Sequence, residues 1–241
     1  MRYAIISDIH GNLEAFEAAL GALDGEKIDE ILCAGDIVGY GADPASCVKK
    51  IRELGCVTVC GNHDAAVSGR MGTAYFNDAA RKAISWTRNN IKSDAAEFLG
   101  NLALTHENRH FVLVHGTLHE AREFHYMLDQ NAASETFRLM KKRLCFVGHS
   151  HLPGVFMLKR NIIDYSSAES VDLKAADKAI INAGSVGQPR DGDPRLCYAI
   201  YDTDEESITF RRERYDITPA QDKILDAGLP FILAYRLSRG T

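Results

Sequence analysis

No run of apolar residues in the 241-residue chain is long enough to cross a bilayer, which excludes a membrane-spanning helix. Basic residues are not in excess either. Twenty-eight Lys and Arg face 33 Asp and Glu, for a formal net charge of −5. Broad nonspecific binding of duplex DNA needs a basic face and is not expected, although a local basic groove stays open. The six cysteines (Cys33, Cys47, Cys56, Cys60, Cys145 and Cys197) are scattered through expected strands and helices. They read as small buried apolar residues rather than as disulfides or a Cys-rich metal site. No charged-then-apolar leader precedes the first strand, so a cytoplasmic location is expected. No linker, repeat or low-complexity segment interrupts the sequence, and residues 1–241 are expected to form one domain. The remaining composition is that of an ordinary globular chain able to bury a substantial core.

The organising stretch is Arg2 to Asn12. Tyr3 to Ile6 is a short β-branched apolar run suited to a buried strand, and it ends in Ser7-Asp8-Ile9-His10-Gly11-Asn12. Asp8 and His10, two apart, point the same way across the turn at the strand's carboxyl end, where open α/β sheets place ligands. They read as two ligands of a metal site; a merely polar strand-to-helix turn is the plain alternative. Asn12 then caps a helix with Leu13, Phe16, Leu20 and Leu23 on one face and Gly25 as its stop. Ile31 to Ala34 forms a second strand ending at Gly35-Asp36. Gly39-Tyr40-Gly41 reads as a mobile turn, and Asp43-Pro44 opens a helix that Gly55 stops. Cys56 to Cys60 is a third strand and leads into Gly61-Asn62-His63-Asp64. Three β-α units in a row, each strand ending in polar side chains, describe a parallel sheet with a site along one edge.

Residues 77–90 and 94–100 have helical spacing, with Trp86 expected in the core. Phe111 to Val114 delivers His115-Gly116, and a loop rich in His, Glu, Arg and aromatics runs from Thr117 to Gln130. A helix over about 131–142 ends in Lys141-Lys142-Arg143, cations that complement its dipole. Leu144 to Val147 delivers Gly148-His149-Ser150-His151. Short strands over 155–158, 161–165, 179–182, 196–202 and 207–213 suggest a second, mostly antiparallel sheet. Thr218-Pro219-Ala220-Gln221 reads as a capping box opening a terminal helix that breaks at Gly228.

Five strand ends thus carry Asp8/His10, Asp36, Asn62/His63, His115 and His149/His151. Mixed carboxylate, imidazole and amide donors suit borderline ions such as Mn²⁺, Fe, Zn²⁺, Co²⁺ or Ni²⁺ better than Ca²⁺. One carboxylate between two ligand sets can bridge two ions ~3.5–4 Å apart, the geometry used for in-line displacement at phosphorus. In the loop, His119 and His125 read either as solvated residues or, with Glu123 and Tyr126, as a rim over the metals. His106 and His110 read as plain surface residues.

These five motifs, in this order, resemble those of calcineurin-like metallophosphoesterases. The stretch Asn182 to Arg195 and the stretch Gly35-Asp-Ile-Val-Gly-Tyr40-Gly resemble the small prokaryotic members. The resemblance implies an α/β (α+β) fold, a four-layer αββα sandwich of two mixed β-sheets flanked by helices. It implies that Asp8, His10 and His151 hold one divalent transition metal and that Asn62, His115 and His149 hold a second, with Asp36 bridging. His63 would reach the phosphate, with Asp64 orienting it. Ser150 stands where the family usually has Thr.

The expected activity is phosphodiester hydrolysis, by in-line attack of a hydroxide bridging two metals (Mn, Fe, Zn, Ni or Co, with Mn foremost in assays). The substrate would be small and phosphorylated or nucleotide-like, and an oligomer is possible. A phosphomonoesterase, including a protein phosphatase or dinucleoside polyphosphate hydrolase, is the alternative, followed by a non-catalytic metal-binding scaffold. Arg190, fixed by the turn Gly187-Gln188-Pro189, and Tyr40 are expected to line the substrate cleft. An ion pair of Arg190 with Asp191 at the surface is the ordinary alternative.

Overall fold

Period-2 burial in the strands sets the layers. The computed structural model describes residues 1–241. In the first strand, β1 (Arg2–Ile6), Tyr3 and Ile5 face one way and Ala4 and Ile6 the other, all buried. A strand buried on both faces must lie between two layers. The helix α1 (Leu13–Leu23) follows, its N-cap Asn12 accepting from the Ala15 N–H at 3.1 Å, and packs Phe16 and Ala19 against Ala4 and Ile6. Then come β2 (Glu30–Cys33), α2 (Pro44–Leu54), β3 (Val57–Thr58), α3 (Asn62–Val67), α4 (Asp78–Asn90) and α5 (Ser93–Asn101). The middle of the chain supplies β4 (Thr105–Glu107), β5 (Phe111–Val114), α6 (Gln130–Leu139) and β6 (Leu144–Val147). The last part holds β7 (Gly154–Lys159), β8 (Ile162–Ser166), β9 (Ser170–Asp172), β10 (Lys178–Asn182), β11 (Leu196–Asp202), β12 (Ser207–Glu213), α7 (Ile217–Asp226) and α8 (Phe231–Leu237).

Two six-stranded mixed sheets result, in the orders β3-β2-β1-β11-β12-β9 and β4-β5-β6-β10-β7-β8. In the first, β1, β2 and β3 run parallel and β11 joins β1 antiparallel, with Tyr3 opposite Tyr201. In the second, β5, β6 and β10 are parallel neighbours. Tyr3, Ile5, Ala199 and Tyr201 of one sheet meet Phe111, Leu113, Phe146 and Ile181 of the other in a shared core. Helices α1 to α5 cover the outer face of the first sheet, and α6 covers the second with Ala133 and Phe137. The four-layer arrangement is therefore present.

Several local expectations need correction. The strands after residue 151 do not form a sheet of their own. β11 and β12 complete the first sheet while β7, β8 and β10 complete the second, because β1 and β6 each still had an unpaired edge. Gly39, Tyr40 and Gly41 are buried rather than mobile, and the Gly41 N–H donates to the His10 carbonyl at 2.8 Å. Helix α6 stops at Leu139, so Lys141–Arg143 lie beyond it. Lys178 Nζ instead donates to the Phe137 and Met140 carbonyls at that end, at 2.8 and 2.7 Å. The N-cap of α7 is Asp216, which accepts from the Thr218 N–H, and Gln221 reaches the Ala234 carbonyl. Trp86 is only partly buried, against α7 and α8. All six cysteines are free, five of them buried. No helix is long and apolar enough to cross a membrane.

Candidate metal centre

The carboxyl ends of β1, β2, β5 and β6 open on one side of the sandwich, and the turns that follow them converge. Sharp turns are needed there. Asp8, His10, Asp36, His149 and His151 all adopt left-handed backbone, with φ of 54°, 52°, 55°, 67° and 61°. Asp and His tolerate this region better than most residues, yet a run of such positions is strain held by the surrounding structure. Gly148 makes the close approach possible, since a Cβ there would run into Ser7 Oγ and Asp8 Oδ2. Gly39 (φ 95°) leaves room for the His63 ring in the same way.

The donor atoms meet in two separate trios, Asp8, His10 and His151 in one and Asp36, His115 and His149 in the other. A third grouping, His10, Asp36 and His63, overlaps both, and in each the ligand atoms lie within 4.8 Å of one another. His151 Nε2 lies 3.2 Å from Asp8 Oδ1. Asp36 Oδ2 lies 3.7 Å from His10 Nε2 and 3.3 Å from His115 Nε2, between the trios. Asn62 Oδ1 joins at 3.1 Å from His115 Nε2. All these side chains are buried.

Ring orientation decides what they can bind. His10 Nδ1 meets the Val38 carbonyl at 3.2 Å, His115 Nδ1 the Ala34 carbonyl at 2.7 Å, and His151 Nδ1 the Gln188 carbonyl. A carbonyl only accepts, so each Nδ1 carries a proton, and the rings of His10 and His151, held neutral, offer their Nε2 lone pairs inward. His10 Nε2 and His151 Nε2 then face each other at 3.1 Å, two acceptors turned toward each other. Burial holds His10, His149 and His151 below the usual histidine range, so those rings do not supply protons of their own. Burial opposes charge on His115 as well, but the Asp36 carboxylate prevails and raises it to about 9. Against burial, His115 holds Asp36 well below the carboxylate range, and Asp8 is held low as well, with His115 contributing. Asp8 Oδ1 accepts no hydrogen bond although it is buried. Two ionised carboxylates, opposed lone pairs and an unsatisfied carboxylate oxygen fit divalent cations.

Asp64 does not orient His63 in this geometry. Its carboxylate accepts from the backbone N–H groups of Asp36, Ile37, Val38 and Gly61 at 2.8, 3.0, 3.3 and 3.1 Å, tying the Asp36 turn to α3. Burial and the neighbouring Asp36 raise its pKa to about 7. His63 instead packs among Tyr40, His10 and Phe76, with ring centroids 4.4, 4.8 and 5.0 Å away. Burial lowers its pKa to about 4, so the ring is neutral near pH 7, and its Nδ1 is unpartnered.

A cleft of about 170 Å³ opens onto Asp36, Asn62, His63, His149 and His151. Arg190 and Tyr40 both line it, 3.3 Å apart (Nη2 to Oη). Asp191 pairs with Arg212 and leaves Arg190 without a carboxylate partner. On the opposite lip Tyr126 stacks on His149, centroids 3.9 Å apart, and Glu123 faces the cleft. His119 and His125 lie outside it, exposed beside Glu120.

Sequence reasoning gave no role to Asn182, Ser185 and Gln188. Asn182 Nδ2 donates to the Gly148 carbonyl (2.7 Å) and Ser150 Oγ (2.9 Å), and Ser185 Oγ donates to the Asp8 carbonyl (2.8 Å). With Gln188 on His151, this segment braces both ends of the cluster. The signals were the resemblance of the stretch Asn182 to Arg195 to the small prokaryotic members and its polar composition after an apolar strand.

The calcineurin-like phosphoesterase superfamily model matches residues 1–206. An uncharacterized protein of Methanocaldococcus jannaschii is 39% identical over 241 residues, 98% of this chain and 97% of that one. The crystal structure of a metallophosphoesterase from Sphaerobacter thermophilus superposes with a TM-score of 0.88 at 38% identity, covering 100% of this chain and 99% of that one. A hypothetical protein from Pyrococcus horikoshii OT3 shares the fold, with a TM-score of 0.81 at 18% identity over 100% and 98% of the two chains.

Proposed function

The chain belongs to the calcineurin-like phosphoesterase superfamily, and from that premise we propose that it is a phosphodiesterase using two divalent transition metals at the buried cluster. Asp8, His10 and His151 would hold one ion, Asn62, His115 and His149 the other, and Asp36 both. The observation that carries this reading is the facing pair of His10 and His151 lone pairs beside the unsatisfied Asp8 oxygen, an arrangement a cation completes. Manganese is the first ion to assay, because the mixed oxygen and nitrogen donor set suits it. Ions there would supply Lewis acidity toward phosphoryl oxygens and an acidic water able to attack phosphorus near neutral pH.

The chain's own groups do the rest. Arg190 presents its guanidinium, steadied by Tyr40 Oη and by Gln188 Oε1 at 3.2 Å, to a phosphate oxygen in the cleft. His63, neutral at rest, donates an N–H to the phosphate or leaving oxygen. A bound anion opposes the burial that depresses its pKa and brings the ring toward a form able to give up a proton. Asp64 holds the Asp36 turn rigid. Among the residues lining the cleft, Arg190 is the one Lys or Arg, and Glu123 carries an opposing charge. Phe76 and Tyr126 offer apolar surface to the second ester group that a diester carries and a monoester lacks.

The test is hydrolysis of aryl diesters, aryl monoesters and nucleotides by protein loaded separately with each candidate ion. Diester turnover that chelation abolishes and manganese restores is expected. Faster monoester turnover would make the chain a phosphomonoesterase. No turnover with any ion would leave a binding scaffold.

A further inference from the structure

A second group of metal-type ligands stands apart from the cluster, on the loop between β5 and α6. His119, Glu120 and His125 bring their ligand atoms within 4.8 Å of one another at the surface. Both Nε2 atoms aim at the same oxygen, Glu120 Oε2, from 3.6 Å (His119) and 3.2 Å (His125). The two rings are nearly parallel, 20° apart with centroids at 5.8 Å. No Lys or Arg pairs with Glu120, so its charge is free for a cation.

The loop that carries the trio is shaped rather than slack. Glu120 and Phe124 take left-handed backbone (φ 46° and 51°), Thr117 Oγ1 donates to the His119 carbonyl at 2.9 Å, and the Glu123 N–H donates to the Glu120 carbonyl at 2.7 Å. Next to His125, Phe124 packs edge-on against His115 at 5.9 Å, and Tyr126 stacks on His149. Two imidazoles and one carboxylate are the ligands of open three-residue zinc sites, with water completing the shell. The donor types also suit other borderline divalent ions.

We propose that His119, Glu120 and His125 bind one divalent ion of the zinc type at the surface, separate from the buried cluster, and that this ion braces the cleft lip carrying Glu123 and Tyr126. Binding draws the three side chains together across the loop, so the segment from residue 119 to 126 loses freedom.

The experiment takes the full chain loaded with manganese, dialyses it against micromolar Zn²⁺, and counts bound zinc in wild type, in His119→Ala/His125→Ala and in Glu120→Gln. Exchange into the buried cluster is common to all three, so the difference between them reads the surface site whatever the cluster does. Wild type is expected to hold one zinc per chain more than the double variant, with Glu120→Gln at least ~10-fold weaker, as for loss of one charged ligand contact. Amide exchange across residues 119–126 is expected to slow on zinc addition in wild type only. Equal zinc in wild type and double variant overturns the site. An extra zinc without slowed exchange overturns the bracing.

Discussion

His10, His115 and His151 each spend one ring nitrogen on a backbone carbonyl, whereas His119 and His125 meet only a carboxylate as exposed as themselves. Both groups offer imidazole and carboxylate donors, the buried carboxylates being Asp and the surface one Glu120. The first group has its ring orientations fixed by the carbonyls of Val38, Ala34 and Gln188 and has little side-chain freedom left to lose when an ion arrives. The second must still freeze three exposed side chains, which costs about 1–2 kcal/mol for each of the longest. The buried group also directs two lone pairs and a carboxylate oxygen without a hydrogen-bond partner toward one place, which suits a cation. Preorganisation and burial, rather than ligand identity, separate a tight centre from a weak one.

The sharpest break of this contrast is Asp36→Asn. Asp36 sits between the two trios and also accepts from the His63 N–H through Oδ1 at 2.8 Å. An amide keeps the shape and removes the charge that both ions would share. The expected loss of turnover exceeds the ~10⁴-fold that bounds removal of an acid–base group, and elemental analysis should show bound manganese falling as well. Full metal content with wild-type turnover would show that the two trios do not depend on a shared carboxylate.

His63→Ala sharpens the comparison from within the buried region, because His63 has the burial of the ligands but no anchored nitrogen. Turnover should fall by ~10²–10⁴ with the manganese content unchanged, and more steeply for poor leaving groups. Stability gives a second readout in the ion-free protein. Folded His63 stays neutral down to about pH 4, whereas its ordinary value is 6.5. Between those values the unfolded chain binds the extra proton, so stability is lost as pH falls through that window. The ion-free variant should lose less in Tm between pH 6.5 and 4 than wild type. His10, His149 and His151 carry shifts of the same sign and leave part of the loss in place. An unchanged pH profile would mean that His63 is not held neutral by burial.

Much of the donor set could be read from the sequence, because an apolar β-branched run followed by Asp or His marks a strand end without any tertiary information. Phe111–Val114 before His115 and Leu144–Val147 before Gly148-His149 are such runs, and both are strands. What stayed hidden depends on partners far along the chain. Asp64 follows His63 directly, yet the start of α3 turns its carboxylate toward the N–H groups of the Asp36 turn, 26 to 28 residues away in sequence. The division of the late strands between two sheets depends on which edges β1 and β6 leave open, and strand periodicity carries no such information. The left-handed backbone at His10 and His151 was equally silent, since no glycine announces it.

The smallest expected effect, and the finest test of what the buried region recognises, is that of Arg190→Ala. Arg190 lies on the braced segment that also holds His151, but its guanidinium reaches the cleft rather than the donor cluster. Its bonds to Tyr40 Oη and Gln188 Oε1 go to neutral oxygens, and its Nε is buried without a partner, so its charge is unspent in the absence of an anion. A charged hydrogen bond is worth about 1.5–3 kcal/mol, which sets the expected rise in KM at roughly 10-fold or more. The rise should be greater for a nucleotide-like substrate with further anionic groups than for a small diester with a neutral tail. Manganese content should not change, because no donor of either trio touches Arg190. If both substrates kept wild-type KM, the guanidinium would only support Tyr40, and substrate selection would rest with the Tyr126 lip.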